Sequence, residues 1–205
     1  MATESLVHVI DDDQAMRESL DFLFDTAGLP VRTYESAVAF LGGGIENYSG
    51  CVVTDVRMPE MSGLELLGEL RRRGSALPVI VITGHGDVPL AIEAMKAGAK
   101  DFLEKPFDDE RLLGIVRTAL QQADAGQAEQ AEQTAVRSRI ATLSRRERQV
   151  LERLVDGQLN KTIAWELGIS ARTVEVYRAK LMAKMGAPAF ADLVRMALKA
   201  GPIED

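Results

Sequence analysis

Short apolar runs alternate with amphipathic stretches along the first 123 residues. Five runs have the length and composition of buried strands, and they occupy residues 7–10, 31–34, 51–54, 79–83 and 101–104. Between them, apolar residues recur three or four positions apart, as they do on one face of a helix. This alternation predicts a parallel sheet covered on both faces, in a flavodoxin-like, doubly wound α/β domain.

Helix boundaries in this region carry clear start and stop residues. Helices are predicted over residues 14–27, 63–73 and 88–97, with a short one after Ser36 and a last one after Asp108. Ser36, Asp87 and Asp108 are predicted N-caps, and a glycine ends each of the longer helices. Asp13 stands before the first helix, where a capping role is favoured over a role in chemistry.

The amino-acid composition changes after residue 120. Residues 121–133 are Gln, Ala, Glu, Asp and Gly with no apolar face, which predicts a linker; helical extension and coil both remain open. Helices are then predicted from Ser144 to about residue 156 and over 161–167, 171–185 and 188–200. The three-residue turn at 168–170 indicates a helix-turn-helix. The predicted domains are 1–122, a linker at 123–138, and an all-α four-helix domain at 139–205.

Charge is distributed unevenly between the two ends. Residues 1–123 hold 11 Lys and Arg against 20 Asp and Glu, whereas residues 138–205 hold 12 against 8, in a chain of net charge −7. The basic end favours a nucleic-acid partner. No apolar run is long enough for a membrane span and the first residues lack the features of a signal peptide, so we expect a cytoplasmic protein with no membrane partner.

The strand-like runs end in polar residues that a core should exclude. Asp11 and Asp12 follow the first strand, Asp55 the third, Thr83 ends the fourth, and Lys105 follows the fifth. Because the carboxyl ends of parallel strands meet at one edge, we expect these groups to share one crevice. Clustered carboxylates require a cation, and oxygen ligands shared with a phosphoryl group suit Mg2+.

These residues, in this order after five alternating strands, resemble the receiver domain of two-component response regulators over residues 6–122. The resemblance implies that Asp55 is the nucleophile that takes a phosphoryl group from a histidine kinase. It also implies that Asp11, Asp12, Asp55 and the backbone carbonyl of Arg57 hold Mg2+, while Lys105 pairs with the phosphoryl oxygens. Such a domain catalyses only its own phosphorylation and dephosphorylation, so the chain is not expected to be an enzyme.

The same resemblance implies a switch. Thr83 would move to bond the phosphoryl group and Phe102 would turn inward, although a core aromatic is nearly as good an interpretation of Phe102. The altered surface would be the fourth helix and fifth strand of the receiver, through which the phosphorylated protein forms a homodimer. The peptide bond before Pro106 is expected to be cis, as in the family.

Three motifs in the basic end carry a second resemblance. LSRRER at 143–148, NKTIA at 160–164 and SARTVEVYR at 170–178 are similar to the four-helix DNA-binding domain of the LuxR/NarL/FixJ family, over residues 139–203. The third helix of that domain enters the major groove. Core positions are then Val174, Leu181 and Met185. The residues expected to face promoter DNA are Arg172, Thr173, Glu175, Val176, Arg178, Ala179 and Lys180, with phosphate contacts from Asn160, Lys161 and Lys184.

Further motifs narrow the family. VITGHGDVP at 81–89, AMKAGA at 94–99 and FLEKPF at 102–107 resemble the FixJ branch. This implies a regulator that activates transcription by RNA polymerase, with oxygen-controlled nitrogen fixation or respiration as one setting. Many relatives carry lysines where Glu175 and Ala179 stand, so their base contacts do not transfer to this chain.

Two alternatives remain open at this point. One is a phosphatase with an aspartyl nucleophile, suggested by the acids after the first strand, although Lys105 and the basic domain argue against it. The other is a DNA-binding protein whose receiver only dimerises and is never phosphorylated. His85, in a loop between glycines, is not assigned a role.

Overall fold

The computed structural model describes residues 5–45, 48–84 and 88–201 of the 205-residue chain. The chain divides into two compact units, Met1–Gly126 and Gln127–Asp205, here named the N-terminal and C-terminal units. The predicted cap Asp87 and the unassigned His85 lie outside the described residues.

A five-stranded sheet forms the centre of the N-terminal unit as described. Its strands are β1 (Leu6–Ile10), β2 (Val31–Tyr34), β3 (Gly50–Asp55), β4 (Val79–Thr83) and β5 (Asp101–Glu104). Their order in the sheet is β2-β1-β3-β4-β5, and every neighbouring pair is parallel. This is the flavodoxin-like order, with its switch point between β1 and β3, so the predicted fold class is confirmed.

Helices cover both faces of this sheet. They are α1 (Gln14–Thr26), α2 (Ala37–Gly42), α3 (Gly63–Arg72), α4 (Val88–Ala97) and the start of α5 (Asp109–Ala141). Three predicted caps are confirmed: Asp13 accepts from the Ala15 amide at 2.9 Å, Ser36 from Ala39 at 3.1 Å and Asp108 from Arg111 at 2.9 Å. Ser62 and Glu65 form a capping box at α3.

Alternate residues of the strands enter two separate cores. On one face Val7, Val9 and Val53 pack with α1 and α5, and on the other Ile10, Val52 and Val81 pack with α2, α3 and α4. The single cysteine, Cys51, is buried in the first core, and burial raises the pKa of its thiol to about 12. This thiol is therefore an apolar core group, as its place in an apolar run predicts.

The end of β3 differs from the sequence prediction. Asp55 is the last residue of the strand and pairs with Ile82, whereas a loop position after Thr54 was expected. The strand continues because the amide of Val56 donates to the carbonyl of Ile82 at 3.0 Å. The Asp55 side chain is thus held by sheet hydrogen bonds on its own backbone.

Gly63, the first residue of α3, lies against the backbone of Asp55. A Cβ atom at Gly63 would stand 2.2 Å from the Asp55 carbonyl oxygen and 3.1 Å from Thr54 Cγ2. The amide of Gly63 donates to the carbonyl of Val56 at 3.0 Å. Only a residue without a side chain fits this approach, which closes the loop between β3 and α3.

The C-terminal unit contains the predicted helix-turn-helix. Its helices are α6 (Arg145–Val155), α7 (Asn160–Leu167), α8 (Ala171–Met185) and α9 (Phe190–Ala200). Gly168 has φ 65°, which turns the chain between α7 and α8. Helix α9 begins at Phe190, two residues later than predicted. The backbone of Ala189 is extended, with φ −133°, and so cannot belong to the helix.

Residues 121–133 are helical, because α5 continues to Ala141. This decides between the helix and the coil that the composition left open. Val136 and Ile140 of α5 are buried in the core of the C-terminal unit with Leu151, Ile163 and Leu181. Val136 lies within the predicted linker, and the domain boundaries at 122 and 138 stay predictions.

A buried histidine on β1 forms part of an aromatic cluster. His8 stacks on Tyr48 with 4.7 Å between ring centroids, and its Nδ1 lies 3.1 Å from the Tyr34 hydroxyl. Its Nε2 lies 3.2 Å from the carbonyl of Ser49, which only accepts, so Nε2 carries the proton. Burial lowers the pKa of His8. The hydrogen bond to the Ser49 carbonyl acts in the opposite direction, and the positive charge of Arg32 lowers the pKa further.

Substitution of Gly63 tests its close approach to Asp55. Gly63→Ala places a methyl group 2.2 Å from a carbonyl oxygen, so we expect a loss of about 1–3 kcal/mol in the free energy of unfolding. Gly68→Ala, on the same helix with nothing within 4 Å of its Cβ position, should stabilise by about 0.5–1 kcal/mol. Urea unfolding of the full chain measures both, and equal effects would contradict the steric argument.

The lowered pKa of His8 predicts a pH dependence of stability. The unfolded chain takes up a proton at His8 near its ordinary value of 6.5, whereas the folded chain does so only at lower pH. Stability from neutral His8 is therefore present above pH 6.5 and lost as the pH falls below it. The urea midpoint should decline from pH 7.5 to 5.5 less steeply in His8→Gln than in the wild type. Parallel declines would contradict this.

Candidate functional site

Four strand ends meet at one edge of the sheet and form an acidic crevice. Ile10 pairs with Thr54 and Thr83 with Glu104, so the residues that follow β1 and β5 lie at the same level as the end of β3. Asp11 is 3% exposed and Asp55 8% exposed. The crevice thus holds two nearly buried carboxylates.

Lys105 joins these two carboxylates. Its Nζ lies 2.9 Å from Asp11 Oδ2 and 2.7 Å from Asp55 Oδ1. Burial alone lowers the pKa of Lys105, but the hydrogen bonds that it donates to Asp55 and Asp11, together with their charges, outweigh burial and raise the pKa above its usual value. The ammonium is therefore fully charged at neutral pH and offsets the repulsion between the two acids. The peptide bond from Lys105 to Pro106 is cis, as expected.

Backbone amides hold the other carboxylate oxygens. The Asp13 amide donates to Asp11 Oδ1 at 2.9 Å, and the Arg57 amide donates to Asp55 Oδ2 at 2.6 Å. Each oxygen has a second lone pair, so both carboxylates keep capacity for a further ligand. The hydrogen bond from the Arg57 amide also places the backbone of Arg57 beside Asp55. The carbonyl of Arg57 is a predicted metal ligand.

Arg17 of α1 was not anticipated as part of the site. Its Nη1 donates to the carbonyls of Asp11 at 2.8 Å and Asp12 at 3.0 Å, and so fixes the backbone of the acidic turn. The signal in the sequence was an arginine on the first turn of the helix after the acids. Its contact to carbonyl groups, however, depends on how tightly the chain turns between β1 and α1.

The remaining predicted receiver residues lie on β4 and β5 or directly after β1. Thr83 is buried at the end of β4, and Phe102 on β5 is half-buried and packs against the core on the side of α2, α3 and α4. Asp12 is exposed beside Asp11 in the chain. Lys105 forms ion pairs with Asp11 and Asp55. Asp12 does not take part in these two ion pairs.

The donor set of the crevice agrees with a magnesium ion. In the described ranges, no three His, Cys, Asp or Glu side chains form a group that could hold a metal by themselves. Mg2+ needs no such cage, since it is usually held by one or two carboxylates and keeps waters and phosphate oxygens as its other ligands. Asp11 and Asp55 supply two such carboxylates, with Asp12 and the Arg57 carbonyl as neighbouring oxygens.

The second candidate surface is the outer side of α7 and α8 in the C-terminal unit. Val174, Leu181 and Met185 are fully buried, as predicted. The opposite side of α8 is solvent-exposed except at Thr173 and Arg178, which are half-buried. The Thr173 amide donates to the N-cap Ser170 at 3.0 Å. The exposed members of the predicted DNA-facing set are Lys161, Arg172, Glu175, Val176, Ala179, Lys180 and Lys184.

Three of the predicted DNA contacts, Lys184, Arg178 and Asn160, form side-chain bonds to other helices of the unit. Lys184 Nζ pairs with the buried Glu147 at 2.7 Å, and Arg178 Nη1 donates to Asn160 Oδ1 at 3.1 Å. Burial raises the pKa of Glu147, but Lys184 and the Ser144 capping box outweigh burial and hold it below its usual value. Lys184 therefore ties the end of α8 to the start of α6.

None of the helices in the described ranges is long and apolar enough to cross a membrane.

Comparison with known proteins matches each unit to a family. Residues 7–117 match the response regulator receiver domain, and residues 141–197 match the bacterial regulatory proteins of the luxR family. The transcriptional regulatory protein FixJ of Azorhizobium caulinodans is 61% identical over 206 residues, which cover 98% of this chain and 97% of that protein.

Solved structures agree with these matches. Full-length FixJ from B. japonicum is 50% identical with a TM-score of 0.59, covering 98% of both chains. The response regulator StyR is 39% identical with a TM-score of 0.85, covering 96% of this chain and 100% of its own. The chain therefore belongs to the FixJ-like response regulators, transcription regulators that join a receiver domain to a LuxR-type helix-turn-helix DNA-binding domain.

Proposed function

We propose that this regulator is switched by phosphorylation of Asp55. The observation that carries the proposal is the Lys105 ammonium, which contacts Asp55 and Asp11 at once. A histidine kinase supplies the phosphoryl group, as membership of the response regulators implies. Asp55 is the acid that matches the phosphoacceptor of the receiver family, and it ends a central strand, contacts Lys105 and accepts from the Arg57 amide.

The transfer is an in-line displacement at phosphorus. An oxygen of Asp55 forms the new P–O bond while the P–N bond to the kinase histidine breaks and its electron pair stays on the imidazole. Lys105 neutralises the charge on the phosphoryl oxygens, and the Arg57 amide keeps the Asp55 carboxylate aimed. Mg2+, held by Asp11, Asp12, Asp55 and the Arg57 carbonyl, would supply the further positive charge that such a transfer requires.

Phosphorylation changes the surface formed by α4 and β5. Thr83 moves to bond the phosphoryl group and Phe102 turns inward, which alters that face. Ile92 and Met95 of α4 are about half exposed, so apolar surface is already present there. We propose that phosphorylated chains pair through this face into a symmetric dimer.

The dimer places two α8 helices on two DNA half-sites. Arg172 is suited to guanine, Glu175 to the cytosine amino group and Val176 to a thymine methyl group, while Lys161 contacts phosphate. Thr173, Ala179 and Lys180, like Arg178, belong to the DNA-facing set expected from the sequence. Bound promoters are activated through RNA polymerase. Such a regulator acts where the chromosome is, in the cytoplasm, and oxygen-controlled nitrogen fixation or respiration is the proposed setting.

Phosphate labelling tests the acceptor. Incubation with radiolabelled acetyl phosphate and Mg2+ should put acid-labile phosphate on the wild type and none on Asp55→Asn. Asp13→Asn is the matched control, because the Asp13 side chain caps α1, Asn also caps a helix, and the backbone amide that holds Asp11 is unchanged by the substitution; it should label normally. Persistent labelling of Asp55→Asn would show that another residue is the acceptor.

Molecular mass in solution tests the dimer. With acetyl phosphate and Mg2+ the mass should rise from 22.3 kDa to twice that value. Ile92→Glu buries an unpaired carboxylate in the proposed interface, which should weaken the dimer by more than about tenfold. Phe22→Glu, at a side chain 73% exposed on α1, should dimerise normally. A phosphorylated monomer, or equal effects of both substitutions, would refute this interface.

A further inference from the structure

Arg178 differs from its neighbours on the outer side of α8. Glu175, Ala179 and Lys180 are exposed, whereas Arg178 is half-buried. Its guanidinium carbon lies 4.4 Å from the centroid of the Phe190 ring, at the start of α9. The side chain is therefore stacked on one helix while its Nη1 donates to another, at Asn160 on α7.

This contact determines how the Asn160 amide is turned. A guanidinium has only donors, so the Asn160 atom that faces Arg178 must be the oxygen, Oδ1. The amide nitrogen, Nδ2, then points away from Arg178, and within residues 5–45, 48–84 and 88–201 it has no hydrogen-bond acceptor. Asn160 is the first residue of α7 and stands directly before the exposed Lys161.

We infer that Arg178 is a positioning residue, which aims the Asn160 amide nitrogen at a DNA phosphate and does not itself read a base. An unrestrained amide can present either its oxygen, which repels phosphate, or its nitrogen, which donates to it. Arg178 selects the donating orientation before DNA arrives, and Phe190 holds Arg178 in place.

Base reading by Arg178 would compete with both contacts, because the guanidinium that would reach a guanine is the group that stacks on the Phe190 ring and donates to the Asn160 oxygen. Arg172, in the first turn of α8, is exposed and is aimed at solvent already. The two arginines of α8 are thus assigned different tasks, one reading and one positioning.

A double-mutant cycle in DNA affinity tests this assignment, which rests on the proposed DNA binding. The full chain, with acetyl phosphate and Mg2+, first selects a duplex from a randomised library. Arg178→Met keeps an unbranched stem against Phe190 but removes the donor. Arg178→Met and Asn160→Ala should each weaken binding about three- to tenfold, and the double variant should be no weaker than either one.

Base preference and rescue separate positioning from other roles. Repeated selection with Arg178→Met should return the wild-type preference at every base pair, whereas the control Arg172→Met should relax it at one. Arg178→Lys, which keeps a donor, should recover affinity in the wild-type background and none in Asn160→Ala. Circular dichroism at the assay temperature ensures that only folded variants are compared.

Two results would overturn the inference: relaxed preference at a single base pair in Arg178→Met, or an undiminished effect of Arg178→Met in the Asn160→Ala background. Failure of the wild type to select any sequence would count against DNA binding itself, so the two failures are distinguishable.

Discussion

The contact of Lys105 with Asp11 and Asp55 is the constraint around which the receiver is arranged. Two nearly buried carboxylates at one edge of a sheet repel each other, and an ammonium between them makes their proximity tolerable. The same arrangement leaves the crevice responsive to charge. In the proposed reaction, a phosphoryl group on Asp55 would add negative charge and new acceptor oxygens beside Lys105 and so change the balance of charge in the crevice.

Backbone geometry supplies most of the precision at this site. Amides of Asp13 and Arg57 hold the carboxylates, Arg17 holds the carbonyls of the acidic turn, and Gly63 lets the loop after β3 close on Asp55. These groups carry no chemistry of their own, and they limit how far the reactive side chains can move. Together they hold Asp11 and Asp55 in place beside Lys105.

The C-terminal unit divides its polar residues between holding the fold and meeting DNA. Lys184 binds a buried glutamate and Arg178 bridges α7 and α9, so both are committed within the unit. Arg172, Glu175 and Lys180 remain exposed on the same helix. The charged residues of α8 are therefore not equally available to contact DNA, because Lys184 and Arg178 already have partners within the unit.

Apolar periodicity and capping residues determined the strands, nearly all helix starts and the fold class, because these depend on neighbours in the chain. The order of acids, threonine and lysine after the strands also identified Asp11, Asp55 and Lys105, since a parallel sheet brings its strand ends together whatever its details. Contacts between separate elements needed the tertiary structure: the bond from Arg17 to the acidic turn, the approach of Gly63 to Asp55, and the place of Arg178 between Asn160 and Phe190. Each depends on how closely two elements approach, which only packing decides.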